Sequence, residues 1–258
     1  MAVQNFKFIV SYDGTRYYGW EHQPNTEMTI QGKLESVLTQ MLETASEKPL
    51  TKPVTVIGAG RTDAGVHARA MTANALLDTE LSEMQIQQYM NRYLPDDISI
   101  SEVKRAADRF HSRFKATGKT YRYTLWYSPD GAKPVFDRKY VYVLREKPDV
   151  DAMRLAAEHL VGEHDFKSFC GNSHMKKSTV RLVDSIRLET SGHYIRIYYH
   201  GTGFLQNMVR ILTGTLLEAG YGRMTPEDMD GILAAKNRKK AGPTAPAAGL
   251  CLMKVDYE

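Results

Sequence analysis

The feature that most constrains this fold is a glycine-rich stretch that directly follows the β-branched run Val54 to Ile57. The β-branched run predicts a buried strand, so the glycine-rich stretch is expected to be a loop at the end of that strand. Its glycines let the backbone turn sharply and approach another molecule closely. These glycines are Gly58, Gly60 and Gly65. We name residues 58–67 the Asp63 loop, after the one carboxylate that they contain.

Asp63 stands two residues after Arg61 and four residues before His67. Taken alone, an Asp-Ala-Gly sequence is typical of a turn in which the aspartate bonds to its own backbone. A catalytic carboxylate presented by a strand-end loop is the alternative. Other features of the chain are needed to favour the catalytic interpretation.

The composition limits the class of protein. A chain of 258 residues, 42% of them hydrophobic, can bury a sizeable core as one large domain or as two lobes. The net charge of +4 is compatible with a polyanionic partner but does not require one. Two cysteines, Cys170 and Cys251, make no disulfide framework. The first residues lack the apolar segment of a signal peptide, and residues 204–219 are too polar to span a membrane, so we expect a cytoplasmic protein.

Hydrophobic periodicity predicts an α+β fold of two related lobes, with mainly antiparallel sheets, helices on one face and a cleft between the lobes. The predicted domains are residues 1–106, which carry the Asp63 loop, and residues 107–258, which complete the cleft. Predicted strands cover residues 6–12, 54–57, 70–77, 98–103, 120–127, 180–189, 194–199 and 250–257. Predicted helices begin at Ile30 after a Thr29 cap, after Ser82, near Asp149 and directly after Gly203.

A basic stretch, residues 104–122, carries seven lysines and arginines against one acid, Asp108. Its net charge of +6 exceeds that of the whole chain. Aromatic residues are interleaved with it or follow it closely: Phe110, Phe114, Tyr121, Tyr123, Trp126 and Tyr127. Cations and stackable rings together are typical of RNA binding, whereas a solvated basic face over an ordinary aromatic core is an equally good interpretation of this stretch alone.

Two further positions are candidates for a site. In the strand 120–127 the tyrosines on one face are expected to be core, and Tyr121, nearest the strand start, is the one expected to reach a site. Arg210 is surrounded by apolar residues on its helix, so a paired or ligand-facing guanidinium is at least as plausible as a surface one. The basic loop 237–240 is either solvated or phosphate-binding.

A series of short motifs, in order along nearly the whole chain, resembles the TruA family of transfer RNA (tRNA) pseudouridine synthases. The motifs are Tyr12-Asp13-Gly14, Tyr18-Gly19-Trp20, residues 60–68, Leu94-Pro95-Asp96-Asp97-Ile98, residues 110–114, Tyr121-Arg122-Tyr123, Asp165-Phe166, Ser168-Phe169, Phe204-Leu205, Met208-Val209-Arg210, Ala245-Pro246 and Gly249-Leu250. Their order and spacing together are specific. Two positions depart from the family pattern: Glu21 stands where a glutamine is expected, and Asn207 where histidine is frequent.

The resemblance implies that Asp63 is the catalytic residue and that substrate-binding residues are Tyr121, Arg61, Arg210 and Leu250. It also implies a homodimer with basic clefts, no metal and no cofactor. The implied partner is the anticodon stem-loop of tRNA, and the implied targets are uridines 38, 39 and 40 of the tRNA.

The implied reaction explains why such residues are needed. The glycosidic bond of uridine breaks, the uracil turns, and the base is rejoined through carbon, so the target must first be flipped out of its stack. Asp63 either attacks covalently or takes a proton, and the sequence does not choose between these routes. Arg61 and Arg210 would keep Asp63 charged if both face it.

Two rival classes of protein remain. A non-catalytic RNA-binding protein explains the basic stretch but leaves the Asp63 loop unexplained. A hydrolase needs a second acid, and the available ones, Asp13, Asp78 and Asp96, are each expected in a turn or at the edge of an element.

Overall fold

A computed structural model describes residues 3–172 and 174–258 of the chain. Within these residues the chain divides into two units: unit 1 comprises residues 3–117 and 252–258, and unit 2 comprises residues 118–251. Among the helices described, none combines the length and the apolar character needed to cross a bilayer.

Unit 1 is an antiparallel sheet with two helices. Its elements are β1 (Gln4–Tyr12), α1 (Ile30–Ser46), β2 (Val56–Gly58), β3 (His67–Leu77), α2 (Glu83–Tyr93), β4 (Ile98–Arg105) and most of β10 (Leu250–Tyr257). The strand order is β4-β1-β3-β10, with β2 paired to β3. The pairs β1–β3, β1–β4 and β2–β3 are all antiparallel.

The core of unit 1 follows the predicted periodicities. Along β1 the buried side chains alternate, at Phe6, Phe8, Val10 and Tyr12. Helix α1 buries the predicted stripe of Ile30, Leu34, Val37, Leu38, Met41 and Leu42. The predicted caps are confirmed: the Thr29 hydroxyl accepts from the Gly32 amide at 3.2 Å, and Ser82 forms a capping box with Gln85.

Unit 2, like unit 1, combines a mainly antiparallel sheet with helices. Its elements are β5 (Ala116–Trp126), β6 (Tyr142–Val143), α3 (Val150–Glu158), β7 (Gly162–Asp165), β8 (Val180–Ser191), β9 (Tyr194–Gly201), α4 (Met208–Gly220) and α5 (Asp228–Ala235). The strand order is β5-β9-β8-β7, with antiparallel neighbours, and β6 adds a short parallel pairing to β5. The predicted α+β class with mainly antiparallel sheets is therefore confirmed.

Three local predictions for unit 2 need correction. Helix α4 begins at Met208 rather than directly after Gly203, because Asn207 has a φ of +57°, which a right-handed helix cannot include. The turn between β8 and β9 is formed by Gly192 and His193 rather than by Ser191 and Gly192. The short elements β7 and α5, of four and eight residues, have too few turns or alternations to give a clear period, and they were not predicted.

The division into units lies at residues 117/118 rather than at 106/107, and the C-terminal residues return to unit 1. A buried polar network explains this difference. The Asn5 side-chain Nδ2 donates to the carbonyls of Ala107 and Phe110, at 3.1 and 2.9 Å. Ser112 donates to Asn74 through its amide and its hydroxyl, and accepts from the Tyr257 hydroxyl at 2.7 Å. Residues 107–112 are therefore fastened to β1, β3 and β10, while the functional roles of the two parts stay a prediction.

Candidate active site

The Asp63 loop connects two paired strands. Strand β2 pairs with β3 through Val56 opposite Ala75 and Gly58 opposite Ala73, and the Ala59 amide continues the ladder by donating to the Thr72 carbonyl at 2.8 Å. A strand before the loop is thus confirmed, but it covers Val56–Gly58 rather than residues 54–57, and only Val56 of it is buried. Because both ends of the loop are held by the ladder, residues 60–66 form a short connection with fixed ends.

A segment that follows β1 fixes the middle of this loop; we name residues 14–20 the Tyr18 segment. The Trp20 amide donates to the Thr62 carbonyl at 3.1 Å, and the Gly65 amide donates to the Tyr17 carbonyl at 3.2 Å. Thr62 is held a second time by a buried hydrogen bond of 2.8 Å between its hydroxyl and that of Tyr12. The residues on either side of Asp63 are therefore positioned by hydrogen bonds that do not involve the carboxylate.

Glycines make this close approach possible. Gly19 has a φ of +98°, and a Cβ there would lie 2.6 Å from the Thr62 carbonyl oxygen. A Cβ on Gly14 would lie 2.0 Å from the carbonyl oxygen of Val66. Gly58 leaves room for the Trp20 indole, which a Cβ would meet at 2.4 Å. The glycine predicted to let another molecule approach thus accommodates a side chain of the same unit.

The turn interpretation of the loop is also correct at the level of the backbone. The Val66 amide donates to the Asp63 carbonyl at 3.1 Å, and Gly65 follows with a φ of +77°. Asp63 itself is partly exposed. His67 is buried, and its Nδ1 lies 3.0 Å from the Gly14 amide nitrogen and 3.2 Å from an Asp13 carboxylate oxygen, so this imidazole fastens the end of the loop to the Tyr18 segment.

The acids considered for a hydrolase lie in a helical cap or in exposed connections. Asp13 caps the turn at Gly14–Arg16 by accepting from the Thr15 amide at 3.0 Å. Asp78 and Asp96 are exposed in the connections after β3 and α2, as predicted for turn residues. In the described parts of the chain, no three or more histidines, cysteines or acids are grouped so as to hold a metal ion.

Arg61 forms an ion pair with Glu21, one of the two residues that depart from the family pattern. The guanidinium Nη1 lies 2.8 Å from the carboxylate, and both side chains are more than half exposed. An exposed pair of this kind contributes only about 0–1 kcal/mol, so it is readily exchanged for another anion. The structure thus places Arg61 on the Asp63 loop, two residues before Asp63, with a weakly held partner.

Tyr121 lies in β5, opposite Tyr199 of β9, and its ring meets Phe204 edge-on at a centroid distance of 5.3 Å. It is 8% exposed, whereas Tyr123 on the same face is fully buried. The Tyr123 hydroxyl donates to the Pro246 carbonyl at 2.6 Å, and burial raises its pKa. Tyr123 is therefore a core residue, as predicted for this face.

Arg210 donates hydrogen bonds to two groups of unit 2, which favours the paired or ligand-facing interpretation over a surface arginine. Its Nε donates to the Ala245 carbonyl at 2.7 Å, and Nη1 donates to the Asn207 side chain at 2.9 Å. The Ala245 amide in turn donates to the Arg210 carbonyl at 3.1 Å. Asn207, the second departure from the family pattern, is thus a direct partner of the candidate site residue.

The segment that precedes β10 joins Arg210 to the tyrosine strand. Ala245 holds the guanidinium, Pro246 accepts from Tyr123, and the buried Leu250 follows at the start of β10. Arg238 supports this segment by donating to the Gly242 carbonyl at 2.9 Å and the Thr244 hydroxyl at 3.0 Å. Unit 2 therefore brings Arg210, β5 and Leu250 together, while Asp63 and Arg61 belong to unit 1.

Sequence reasoning missed the residues that support Arg210 and Tyr121. Phe204, Ala245 and Pro246 were identified as parts of motifs without a role, and Asn207 only as a departure. Every residue has a backbone carbonyl, so the sequence does not reveal that the carbonyl of Ala245 accepts a hydrogen bond from Arg210.

The aromatic residues of the basic stretch do not form one stacking surface. Tyr121, Tyr123 and Trp126 are buried, whereas Phe114 is 77% exposed and stacks on His111 at 4.1 Å. The exposed cations that make no ion pair within residues 3–172 and 174–258 are Arg109, Arg113 and Lys115 of this stretch, together with Lys239 and Lys240 of the loop 237–240. The stretch therefore contributes buried aromatic residues to the core and also carries exposed cations, and its role in RNA binding stays a prediction.

Comparison with known proteins assigns the family. A family model described as tRNA pseudouridine synthase matches residues 8–115 and 156–258. The chain is 41% identical to tRNA pseudouridine synthase A 2 of Bacillus cereus, over 99% of this chain and 100% of that protein. It is 42% identical to tRNA pseudouridine synthase A of Pelobacter propionicus and 38% identical to tRNA pseudouridine synthase A 2 of Clostridium perfringens, each with the same two coverages. The family resemblance predicted from the motifs is confirmed, and the chain belongs to the TruA family of tRNA pseudouridine synthases.

Proposed function

We propose that this isomerase converts uridine to pseudouridine in the anticodon stem-loop of tRNA, at positions 38, 39 and 40, with Asp63 as the catalytic carboxylate. The observation that carries this proposal is the setting of Asp63. The residues on both sides of it, Thr62 and Gly65, are held by hydrogen bonds to Trp20, Tyr12 and Tyr17. A rigid backbone that presents a partly exposed acid is what positioned chemistry on a substrate requires.

The reaction needs bonds to be exchanged, with no change of oxidation state. The bond from N1 of the uracil to C1′ of the ribose breaks, and a bond from C5 to C1′ forms. The proton on C5 leaves to solvent, and N1 gains a proton. Asp63 either forms a transient covalent bond or takes a proton from the sugar, and both routes need an ionised carboxylate. We therefore expect neither a metal nor a cofactor.

The other candidate residues hold the substrate in this proposal. Tyr121 contacts the flipped base, and its position against Phe204 supports a fixed ring. Arg210 keeps the catalytic carboxylate charged and oriented, which is supported by its fixed guanidinium. Arg61 exchanges Glu21 for a phosphate, and Leu250 lines the site.

The proposal also includes a homodimer and a cytoplasmic location. The homodimer rests on the resemblance to the TruA family. The location rests on the proposed substrate, because tRNA is used in translation in the cytoplasm. Sedimentation equilibrium at micromolar protein tests the dimer, and a monomer active on tRNA would remove it from the proposal.

Replacing Asp63 by asparagine should abolish turnover while leaving folding and tRNA binding nearly unchanged. The change is isosteric and the backbone of the loop is held by Trp20, Tyr17 and Tyr12, so the free energy of unfolding should fall by no more than about 1 kcal/mol. The measurement is release of tritium from tRNA labelled at uridine C5, alongside a binding titration. Asp78→Asn, at an exposed position directly after β3, is the matched control and should keep the parental rate.

Two results would contradict this assignment. An Asp63→Asn rate within about tenfold of the parent would remove Asp63 from its catalytic role. Binding of tRNA by the parent without any tritium release would favour the non-catalytic RNA-binding protein.

The rates of two Tyr121 variants should distinguish a role of the ring in stacking from a role of the hydroxyl in the reaction. We expect Tyr121→Phe to fold well and bind tRNA but to be strongly slowed, because the hydroxyl faces the flipped base in this proposal. Tyr121→Ala also forfeits base stacking of about 1–3 kcal/mol, and should lose more. Single-turnover rates with thermal melts are the measurements.

Tyr123→Phe is the matched control for this series. It leaves the Pro246 carbonyl without its donor, so it should lose about 1 kcal/mol of stability and slow turnover only in proportion to the folded fraction. A Tyr121→Phe enzyme with the parental rate would contradict a role for the hydroxyl.

Binding to tRNA should depend strongly on salt. With contacts from about five exposed cations, and roughly 0.7 to 0.9 per neutralised phosphate, the log–log slope of affinity against salt should be about −3 to −5. Arg113→Gln and Lys115→Gln should each make the slope shallower by roughly 0.7 to 0.9, whereas Lys52→Gln, outside both basic segments, should not change it. A slope near zero would mean that these cations do not contact phosphates.

A further inference from the structure

The exposed ring of Tyr18 has no explanation in the fold. Its neighbours in the Tyr18 segment are core residues, since Tyr17 is 2% and Trp20 is 3% exposed, whereas Tyr18 is 61% exposed. Within residues 3–172 and 174–258, the Tyr18 side chain takes part in no hydrogen bond or ring contact. A large ring left in solvent between two buried ones is a candidate for contact with another molecule.

The backbone that carries this ring is fixed. The Tyr18 backbone amide donates to the Met28 carbonyl at 2.8 Å, and the Tyr18 carbonyl accepts from the Gln23 side-chain Nε2 at 2.9 Å. The next residue, Gly19, lies against the loop, since a Cβ there would be 3.3 Å from the Asp63 carbonyl carbon. The ring is therefore presented from a rigid position beside the Asp63 loop.

A cation lies on the same part of unit 1. Arg61 pairs with Glu21, three residues after Tyr18, and both partners of this pair are exposed. A flat ring for a base and a guanidinium for a phosphate are the two groups with which proteins bind unstacked nucleotides. This combination favours a nucleotide over a protein partner.

We propose that Tyr18 is a further substrate-contacting residue, whose ring stacks on the nucleobase next to the uridine that is flipped toward Asp63. Flipping removes one base from its stack and leaves the neighbouring base with an uncovered face. The Tyr18 ring covers that face and thereby holds the RNA open. This inference rests on the proposed function of Asp63, and it adds a residue that acts on the RNA rather than on the reacting atoms.

The test uses an anticodon stem-loop RNA with tritium at C5 of the target uridine, and a second RNA with 2-aminopurine as the neighbouring base. Tyr18→Ala should reduce the single-turnover rate at subsaturating enzyme by roughly 5- to 140-fold, the range that corresponds to one base–aromatic stack of about 1–3 kcal/mol. Tyr18→Phe keeps the flat face and should stay within about threefold of the parent. Stacking should quench the 2-aminopurine fluorescence with the parent and with Tyr18→Phe, and not with Tyr18→Ala.

Tyr93→Ala is the matched control, because Tyr93 is also an exposed tyrosine of unit 1 but lies at the end of α2, with its ring against Tyr89. It should leave both the rate and the quenching unchanged. A Tyr18→Ala enzyme with parental rate and parental quenching would overturn the inference. So would a Tyr18→Ala enzyme whose association state changes in size-exclusion chromatography while its quenching does not. Absence of tritium release from the parent would instead overturn the proposed function.

Discussion

The structure of the candidate site depends on one close approach, that of the Tyr18 segment to the backbone of the Asp63 loop. Gly19 and Gly14 bring main chain against main chain at distances that no side chain would allow. The hydrogen bonds of Trp20 and Tyr17 to the loop follow from this approach, and so does the place of the Trp20 indole over Gly58. The backbone position of Asp63 is therefore set by contacts between the loop and the Tyr18 segment, as the catalytic role that we propose for Asp63 requires.

In unit 2, too, backbone groups in close contact position side chains of the candidate site. Arg210 is oriented by the carbonyl of Ala245, and Tyr123 is fixed by the carbonyl of Pro246. Both acceptors belong to one segment, which lies so close to α4 that a Cβ on Gly214 would be 1.8 Å from the Pro243 carbonyl oxygen. Backbone carbonyls do not titrate, so these two hydrogen bonds do not depend on pH through their acceptors.

Much of this arrangement is predictable from sequence. The apolar stripe of α1, its Thr29 cap and the strand β10 follow from periodicity and capping chemistry alone. The candidate site residues follow from motif order rather than from composition. Contacts that depend on a carbonyl, such as those of Ala245 and Pro246, were not predictable because every residue carries one. The late start of α4 was missed because asparagine tolerates the left-handed conformation of Asn207 but does not require it. The unit boundary was missed because the hydrogen bonds of Asn5 and Asn74 join residues far apart in the sequence.

The central claim is that close packing of the Tyr18 segment positions Asp63 for chemistry. The most direct test is the single-turnover rate of Gly19→Ala, compared with that of Gly192→Ala. Both glycines have positive φ, at +98° and +57°, but a Cβ at Gly192 meets no atom within 4 Å, whereas one at Gly19 meets the Thr62 carbonyl at 2.6 Å. Each variant should lose about 1 kcal/mol or more of stability from backbone strain. We expect Gly19→Ala to remain folded and bind tRNA but to lose most of its rate, and Gly192→Ala to keep the parental rate. A folded Gly19→Ala enzyme with the parental rate would contradict the account.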